Sequence, residues 1–437
     1  MGKRLRIAIN AQIKPNSGVG GIEAVLTALT ALSRLDDGEE EYVFIGPWDE
    51  PEWLQPLLDS RQSIVRGPQP FEWKPGPLEP LKRALRPLRP VARGVWGSLF
   101  RSASSETNMG GPVSDGFYES LNCEVIHFPF QFFVRCALPM IYNPHDLQHV
   151  HYPEFFEPSV FNSREAAYPA ACHAAHTVAV ASQFVKHDIV QHYGVDPDKI
   201  QVIPWAPPPI KTSPAFADDI LVRKKYQLPD QPFALYPAMT WEHKNHIRLL
   251  EALALLRDRD ELKVHLICTG DQKSFWPRIE RRLLQLGLEE QVKFLGLVSH
   301  EELCAIYRAA QFVIIPTLFE AASAPLFEAW QHDVPVACSS ITSLPEQAAD
   351  AALLFNPLSV EAIADAAARM TTGSGLREDL RRRGARRLQD FSFERTAKTY
   401  RAVYRRAAGR ILSEEDRWLL SWDWMRKPQR ETEAQYQ

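Results

Sequence analysis

The sequence lacks the features that would mark a nucleic-acid-binding, disulfide-rich, zinc-binding or membrane-spanning protein. Its 437 residues carry a net charge of only −4, which excludes a general electrostatic attraction to nucleic acid. The 6 cysteines form no CxxC pair and no zinc-type Cys/His spacing, so a reducing cytoplasm is the simplest compartment. No run approaches the roughly 20 apolar residues of a membrane-spanning helix.

Signals for two classes of nucleotide site are also missing. No GxGxxG follows the first strand, so a dinucleotide site is unsupported, and no DxD follows a strand. The basic and apolar N-terminus resembles an export signal, but Asn10 and Gln12 interrupt its apolar run. We therefore expect a protein that is neither exported by this signal nor membrane-spanning.

Apolar strands alternate with helical segments along most of the chain. The first strand (5–10) leads into a glycine loop and a helical pattern at 23–35. Further strands are predicted at 41–46, 124–129, 140–144, 176–182, 199–204, 233–238, 263–270, 291–296, 312–316, 334–340 and 352–357. This regular spacing predicts an α/β protein with two doubly wound, Rossmann-like domains.

Prolines and basic residues mark the domain boundaries. The stretch 204–214 holds five prolines, which neither a helix nor a central strand tolerates, so we interpret it as a linker. We expect an N-terminal domain at 1–208, a second domain at 209–391, and helices at 392–437 that pack back toward the first domain. A basic insert at 68–115 breaks the pattern.

Two glutamates separated by seven residues give the strongest chemical signal. Glu320 and Glu328 follow the strand at 312–316, and parallel sheets bind ligands beyond the carboxyl ends of their strands. The small residues Ala322, Ser323 and Ala324 open a helix whose amides can approach a phosphate. Ordinary helix-start acids that favour the macrodipole are an equally open interpretation.

Three other positions could serve the same cleft. Lys244 follows the strand at 233–238, where a cation could neutralise a diphosphate, although a solvated lysine is the commoner case. His145, which follows the strand at 140–144, could share a proton, but a surface histidine beside a capping Asp146 is as plausible. Gly20 and Gly21 let the first loop approach a ligand closely.

These residues together resemble the retaining glycosyltransferases of family 4, which have the GT-B fold of two Rossmann-like domains facing a cleft. The segment FEAASAPLFEAW is similar to their E-x7-E motif, and the similarity continues through the GVGGIE opening, the His145–Asp146 pair and the run from 182 to 207. The variant HKNH at 243–246 looks most like the branch that includes many mannosyltransferases of surface-polysaccharide assembly.

The resemblance implies a role for each candidate residue. Glu328 would hold the ribose of a GDP- or UDP-sugar, Glu320 the hydroxyls of its sugar, and Lys244 the departing diphosphate. His145 would lie near the reacting sugar. Gly20 and Gly21 would let the first loop close over the phosphates, with Ala322, Ser323 and Ala324 lining the donor site; no other cofactor and no metal is expected.

Two departures from the family pattern concern the phosphate site. Ala321 and Ser323 stand where the family usually has glycines, which narrows the space for backbone approach. Ala238 stands where an arginine is common, six residues before Lys244. The loop therefore keeps one cation where two are usual.

Two functional hypotheses follow. The first is a retaining hexosyltransferase, with mannose favoured, that acts on a saccharide or lipid-linked acceptor at the inner membrane face. The second is a non-catalytic GT-B-like scaffold. Segment 74–101 carries seven basic residues and one acidic residue among apolar ones, which predicts either contact with an anionic membrane surface or a solvated insert.

Overall fold

The computed structural model describes residues 4–13, 37–58, 61–69, 111–207 and 219–425, with isolated positions 26, 29, 31, 32 and 35. These residues form two separate parallel β-sheets, one in each half of the chain. The predicted pair of Rossmann-like α/β domains is confirmed. The glycine loop and segment 74–101 lie outside the described residues, as does most of the linker.

The first sheet has seven parallel strands in the order β3-β2-β1-β4-β5-β6-β7. These strands are β1 (Arg6–Asn10), β2 (Glu41–Gly46), β3 (Gln62–Arg66), β4 (Val125–Phe128), β5 (Met140–Tyr142), β6 (Thr177–Val180) and β7 (Ile200–Val202). The central strands are buried along their length, as expected where helices cover both faces. The order reverses between β1 and β4, so a ligand crevice is expected beyond the carboxyl ends of these strands.

The second sheet has six parallel strands in the order β10-β9-β8-β11-β12-β13. Its strands are β8 (Phe233–Pro237), β9 (His265–Thr269), β10 (Val292–Phe294), β11 (Phe312–Ile315), β12 (Val336–Ser339) and β13 (Ala352–Phe355). Here the order reverses between the neighbours β8 and β11. The loops that follow these two strands therefore border the crevice of the second domain.

Helices cover the sheets. In chain order they are α1 (Phe117–Ser120), α2 (Gln148–His151), α3 (Pro158–Ala174), α4 (Gln183–Tyr193), α5 (Asp219–Tyr226), α6 (His246–Asp260), α7 (Trp276–Gln285), α8 (His300–Ala309), α9 (Ala324–Gln331), α10 (Leu344–Ala348), α11 (Val360–Thr372), α12 (Ser374–Leu388), α13 (Phe393–Ala407) and α14 (Glu414–Ser421). Local signals set their ends: Ser182 caps α4, and Gly194, at φ 65°, ends it. Among the described helices, none is long and apolar enough to cross a membrane.

Helix α13 carries the chain from the second domain back to the first. The Tyr404 hydroxyl lies 2.7 Å from Nδ1 of the buried His127 on β4. On the same helix, the buried Arg401 guanidinium donates to the Asp37 carboxylate at 2.6 Å. The apolar side of α13 joins the core of the first sheet, so this helix ties the two domains together.

Candidate functional site

The two loops at the reversal point of the second sheet meet through an ion pair. Lys244 follows β8 and Glu320 follows β11, and the Lys244 ammonium donates to Oε2 of Glu320 at 2.8 Å. Their side chains are 20% and 9% exposed, so the pair is largely desolvated yet reachable from the cleft. The structure thus brings together two residues that are 76 positions apart in the sequence.

The backbone around Lys244 is fixed by its neighbours. A 3₁₀ turn at Glu242–Lys244 ends at Asn245, which has a φ of 62°. The Asn245 side-chain amide donates to the carbonyls of Pro316 at 2.9 Å and Pro357 at 2.8 Å. These bonds tie the loop after β8 to the ends of β11 and β13, so Lys244 is presented from a rigid support.

Hydrogen bonds with side-chain hydroxyl groups fix the backbone of the Glu320 loop. The Glu320 amide donates to Oγ1 of Thr342 at 3.1 Å, and the Ser343 hydroxyl donates to the Glu320 carbonyl at 2.7 Å. The Thr317 hydroxyl approaches Oε2 of Glu320 at 3.4 Å. Both contacts to the carboxylate therefore reach Oε2, and among the described residues no hydrogen bond reaches Oε1.

At the helix start that follows Glu320, one of the amides predicted to be available to a phosphate already has a hydrogen-bond partner. Ser323 is fully buried, and its amide donates to Oε1 of Gln347 at 3.1 Å. A phosphate at this amide would have to displace Gln347. The flanking Ala322 and Ala324 are half-buried, and the roles of all three residues stay predictions.

Glu328 lies in the second turn of α9 in a different environment. The Tyr307 hydroxyl on α8 donates to Oε2 of Glu328 at 2.8 Å. Burial raises the pKa of the Glu328 carboxyl, and the hydrogen bond from Tyr307 partly offsets this effect. No direct contact joins Glu328 to Glu320 in the described structure, so the two carboxylates can bind different parts of one ligand.

His145 lies at the carboxyl edge of the first sheet. It follows β5 with a φ of 66°, and its Nε2 donates to the Pro129 carbonyl at 2.7 Å. Burial lowers the pKa of the imidazole, which favours the neutral form with Nδ1 as an acceptor. The other predicted residues of this domain, Gly20 and Gly21, lie outside the described residues.

A cavity of about 890 Å³ opens in the first domain, which sequence reasoning missed. Its walls include Asn10 at the end of β1 and Phe130 beyond β4, so it occupies the reversal point of the first sheet. Phe133 and Tyr168 give it an aromatic lining. Its charged lining residues are Asp115 and Arg164, and Arg164 forms an ion pair with Asp146 at 3.5 Å. No sequence signal identifies this cavity, because its walls come from segments far apart in the chain.

Two side chains of the second domain, Phe319 and Glu346, contact the first domain beside the ion pair. The ring of Phe319, next to Glu320, packs 5.5 Å from the ring of His151 and 6.0 Å from that of Phe184 in the first domain. The Glu346 carboxylate accepts hydrogen bonds from the amides of Gln183 and Phe184, at 3.2 and 3.3 Å. The second domain thus caps the N-terminus of α4 with a carboxylate.

Two protein families match successive parts of the chain. The family described as "Glycosyltransferase Family 4" matches residues 117–206, and "Glycosyl transferases group 1" matches residues 218–387. The first match includes His145, and the second includes Lys244, Glu320 and Glu328. The families therefore cover both sides of the cleft.

The chain spans about two thirds or less of the length of the curated relatives that it matches. O-antigen chain mannosyltransferase B of Escherichia coli is 29% identical over 255 residues, which is 57% of this chain and 66% of that protein. D-inositol 3-phosphate glycosyltransferase of Corynebacterium glutamicum (strain R) is 27% identical over 278 residues, 61% of this chain and 66% of that protein.

Solved structures share the fold. Sucrose-phosphate synthase of Thermosynechococcus elongatus superposes with a TM-score of 0.63 at 20% identity, over 92% of this chain and 99% of that one. Anabaena Alr3699/HepE in complex with UDP and glucose gives 0.63 at 15% identity, over 91% and 99%. The chain therefore carries a glycosyltransferase family 4 domain followed by a glycosyl transferases group 1 domain, and the two build a GT-B fold.

Proposed function

We propose that the protein is a retaining, metal-independent glycosyltransferase that moves a hexose from a GDP- or UDP-sugar to a saccharide or lipid-linked acceptor. The observation that carries this proposal is the Lys244–Glu320 pair at the reversal point of the second sheet. A cation and a carboxylate at this point match the two needs of a sugar diphosphate, one for its charge and one for its hydroxyls.

In this proposal, the largest contribution to catalysis is the stabilisation of the leaving group by Lys244. Transfer breaks the bond between the anomeric carbon and the diphosphate oxygen, and negative charge grows on the leaving group. A preorganised ammonium in a partly desolvated cleft stabilises that charge without reorganisation. The acceptor hydroxyl attacks on the face that the diphosphate leaves and passes its proton to the departing diphosphate oxygen, so the anomeric configuration is retained.

The two glutamates divide the rest of the donor. Glu320 accepts hydrogen bonds from the sugar hydroxyls through Oε1, while Lys244 and Thr317 contact its other oxygen. Glu328 accepts the ribose hydroxyls from the second turn of α9, as acids do in nucleotide-binding Rossmann folds. Neutral His145 lies on the opposite side of the cleft, near the reacting sugar.

The acceptor binds in the cavity of the first domain. Its aromatic lining and its arginine suit an acceptor that combines an apolar portion with a phosphate, as a lipid-linked saccharide does. Mannose is the favoured sugar because O-antigen mannosyltransferases are among the relatives. We place the reaction in surface polysaccharide or glycolipid assembly.

Product analysis tests this proposal. Purified protein is incubated with GDP-mannose, GDP-fucose, UDP-glucose or UDP-galactose, with and without saccharide acceptors, and release of nucleoside diphosphate is measured. We expect release with one of these donors, and an NMR spectrum of the product that shows the donor's anomeric configuration. An inverted product would contradict retention, and no release with any donor would favour the scaffold hypothesis.

A peripheral position at the inner membrane face is the second part of the proposal, and it rests on the basic sequence of 74–101. Each basic residue near an anionic leaflet contributes about 1 kcal/mol. Wild type should sediment with anionic vesicles at low salt and release at high salt, whereas a variant with Arg83, Arg86, Arg89 and Arg93 changed to Glu should not bind. Equal partition of both proteins would reject the membrane role.

A further inference from the structure

Three metal-ligating side chains meet in the first domain beside the candidate site. His151 ends α2, and Asp188 and His192 lie one turn apart on α4. Nε2 of His151 lies 2.9 and 2.8 Å from the two carboxylate oxygens of Asp188, and Nε2 of His192 lies 3.2 Å from Oδ1. One ligand atom from each residue lies within 4.8 Å of the others.

Burial and charge favour an ion at this position. The Asp188 side chain is 4% exposed, whereas those of His151 and His192 are 31% and 21% exposed. The carboxylate is thus anchored inside the domain while the imidazoles reach solvent, which leaves a path for a small ion. In the described part of the chain, the ionic partners of Asp188 are these two imidazoles, without a lysine or arginine.

The donor set and its spacing match those of zinc. With bonds of about 2.0–2.1 Å, the ligand atoms of a tetrahedral zinc ion lie about 3.3 Å apart. The His–Asp separations are close to this value, and modest rotations of the two half-exposed histidines would bring all three atoms onto one ion. Two imidazoles and one carboxylate suit zinc better than magnesium or calcium, which prefer oxygen.

We propose that His151, Asp188 and His192 form a binding site for a transition-metal dication, with Zn²⁺ as the best match and water at the fourth position. The site is separate from the Lys244–Glu320 pair and does not depend on the proposed transfer. Because the His151 ring packs against Phe319, a bound ion would hold this imidazole at the contact between the domains.

Cobalt titration of the full chain tests the proposal. Protein treated with chelator and desalted is titrated with Co²⁺, which absorbs strongly in the visible range only at four- or five-coordinate sites. We expect one equivalent of Co²⁺ to bind to the wild type and Zn²⁺ to displace it. Saturating Zn²⁺ should also raise the unfolding temperature by about 2 °C or more, and Mg²⁺ should do neither.

Matched variants separate this cluster from other histidines. His192→Ala and Asp188→Asn should lose the Co²⁺ spectrum and the thermal shift, while His187→Ala, an exposed histidine on the same helix, should keep both. Circular dichroism checks that His192→Ala is folded, since Asp188 is buried and its variant is the riskier one. A wild type without the spectrum, or a folded His192→Ala variant that keeps it, would show a hydrogen-bonded cluster only.

Discussion

At the residue scale, the two glutamates of the E-x7-E segment differ in what surrounds them. Glu320 contacts a cation at the reversal point of the second sheet, whereas Glu328 accepts a hydrogen bond from a tyrosine hydroxyl on another helix. A carboxylate whose Oε2 contacts a lysine can still accept hydrogen bonds from sugar hydroxyls through its other oxygen. A carboxylate whose pKa is raised by burial is more sensitive to pH and to the loss of its partner.

Nucleotide affinity should separate the two roles. With free GDP or UDP in a calorimeter, Glu328→Ala should bind about 10–100-fold more weakly, because it loses hydrogen bonds to a charged acceptor. Glu320→Ala should bind nearly as the wild type does and yet fail in transfer. Equal loss of nucleotide affinity in both variants would mean that the roles are misassigned.

Neutralising Glu328 should weaken nucleotide binding but stabilise the fold. Its folded pKa lies above the ordinary 4.5, so ionisation in the fold lowers the free energy of unfolding above the raised pKa and has no effect well below 4.5. Glu328→Gln keeps an acceptor for Tyr307 and should unfold roughly 2 °C higher than the wild type at pH 7.

The pH series supplies the control. Near pH 4 the unfolding temperatures of wild type and Glu328→Gln should converge, because the wild-type carboxyl is then largely protonated in both states. Glu290→Gln, at an exposed position, should shift little at either pH. A Glu328→Gln variant that is less stable at pH 7 would contradict the assigned direction of the pKa shift.

Sequence reasoning could place Lys244 and Glu320 but not their supports. Both residues directly follow apolar strands, and parallel strands bring their carboxyl ends to one edge. Thr342 and Tyr307 carry no such signal, because each is an ordinary loop or helix residue until the fold sets it against a glutamate. The hydrogen bond from the Ser323 amide to the Gln347 side chain could not be predicted for the same reason.

At the scale of elements, α4 carries one of the contacts between the domains. Its first-turn amides donate hydrogen bonds to the Glu346 carboxylate, and its Phe184 ring packs against Phe319. Phe319 directly precedes Glu320, so any shift of this ring moves the predicted sugar-binding carboxylate. The contact between the domains and the geometry of the site are therefore linked through one residue.

Phe319 variants test this link. Phe319→Ala should lower turnover by about tenfold, because Glu320 loses its support on the first domain, while nucleotide affinity changes less than about twofold. Phe319→Leu, which keeps most of the volume, should recover part of the rate. The exposed Leu297→Ala is the control, and an Ala variant with wild-type turnover would remove Phe319 from this role.

Among the elements that sequence reasoning did not predict, two were missed for identifiable reasons. Strand β3 has the sequence QSIVR and lies half-exposed at the sheet edge, so it lacks the apolar run of the inner strands. Helix α3 contains Pro169 within its span, which sequence rules read as a break. The other strands have mainly apolar sequences and were predicted to within two residues at their ends.

At the scale of the whole molecule, the alternation of strands and helices was enough to predict two Rossmann-like domains, because each parallel strand needs a helical crossover. The strand orders, and with them the reversal points, were not predictable from one sequence. Neither was the cavity of the first domain. These features depend on contacts between distant segments, which periodicity does not encode.

Chelation tests the predicted chemistry of the whole enzyme. With excess EDTA, the transfer rate should stay within about twofold of the untreated rate, because Lys244 rather than a metal ion is expected to stabilise the diphosphate. In the described structure, the histidine cluster on α2 and α4 touches the site through Phe319 and holds none of the groups assigned to the diphosphate, so loss of its ion should change the rate by no more than this factor. Loss of transfer with EDTA and its recovery with Mn²⁺ or Mg²⁺ would contradict the proposed mechanism.

The central claim is that the Lys244–Glu320 pair forms the donor diphosphate site, and the turnover of Lys244→Ala tests it most directly. With the best donor, we expect a loss on the order of 3 kcal/mol, about a hundredfold in rate, as for one preorganised charge donor. Lys244→Arg should recover part of it, and Lys225→Ala, whose lysine forms an exposed surface pair with Glu302, should behave as the wild type. Wild-type turnover in a folded Lys244→Ala variant would contradict the account.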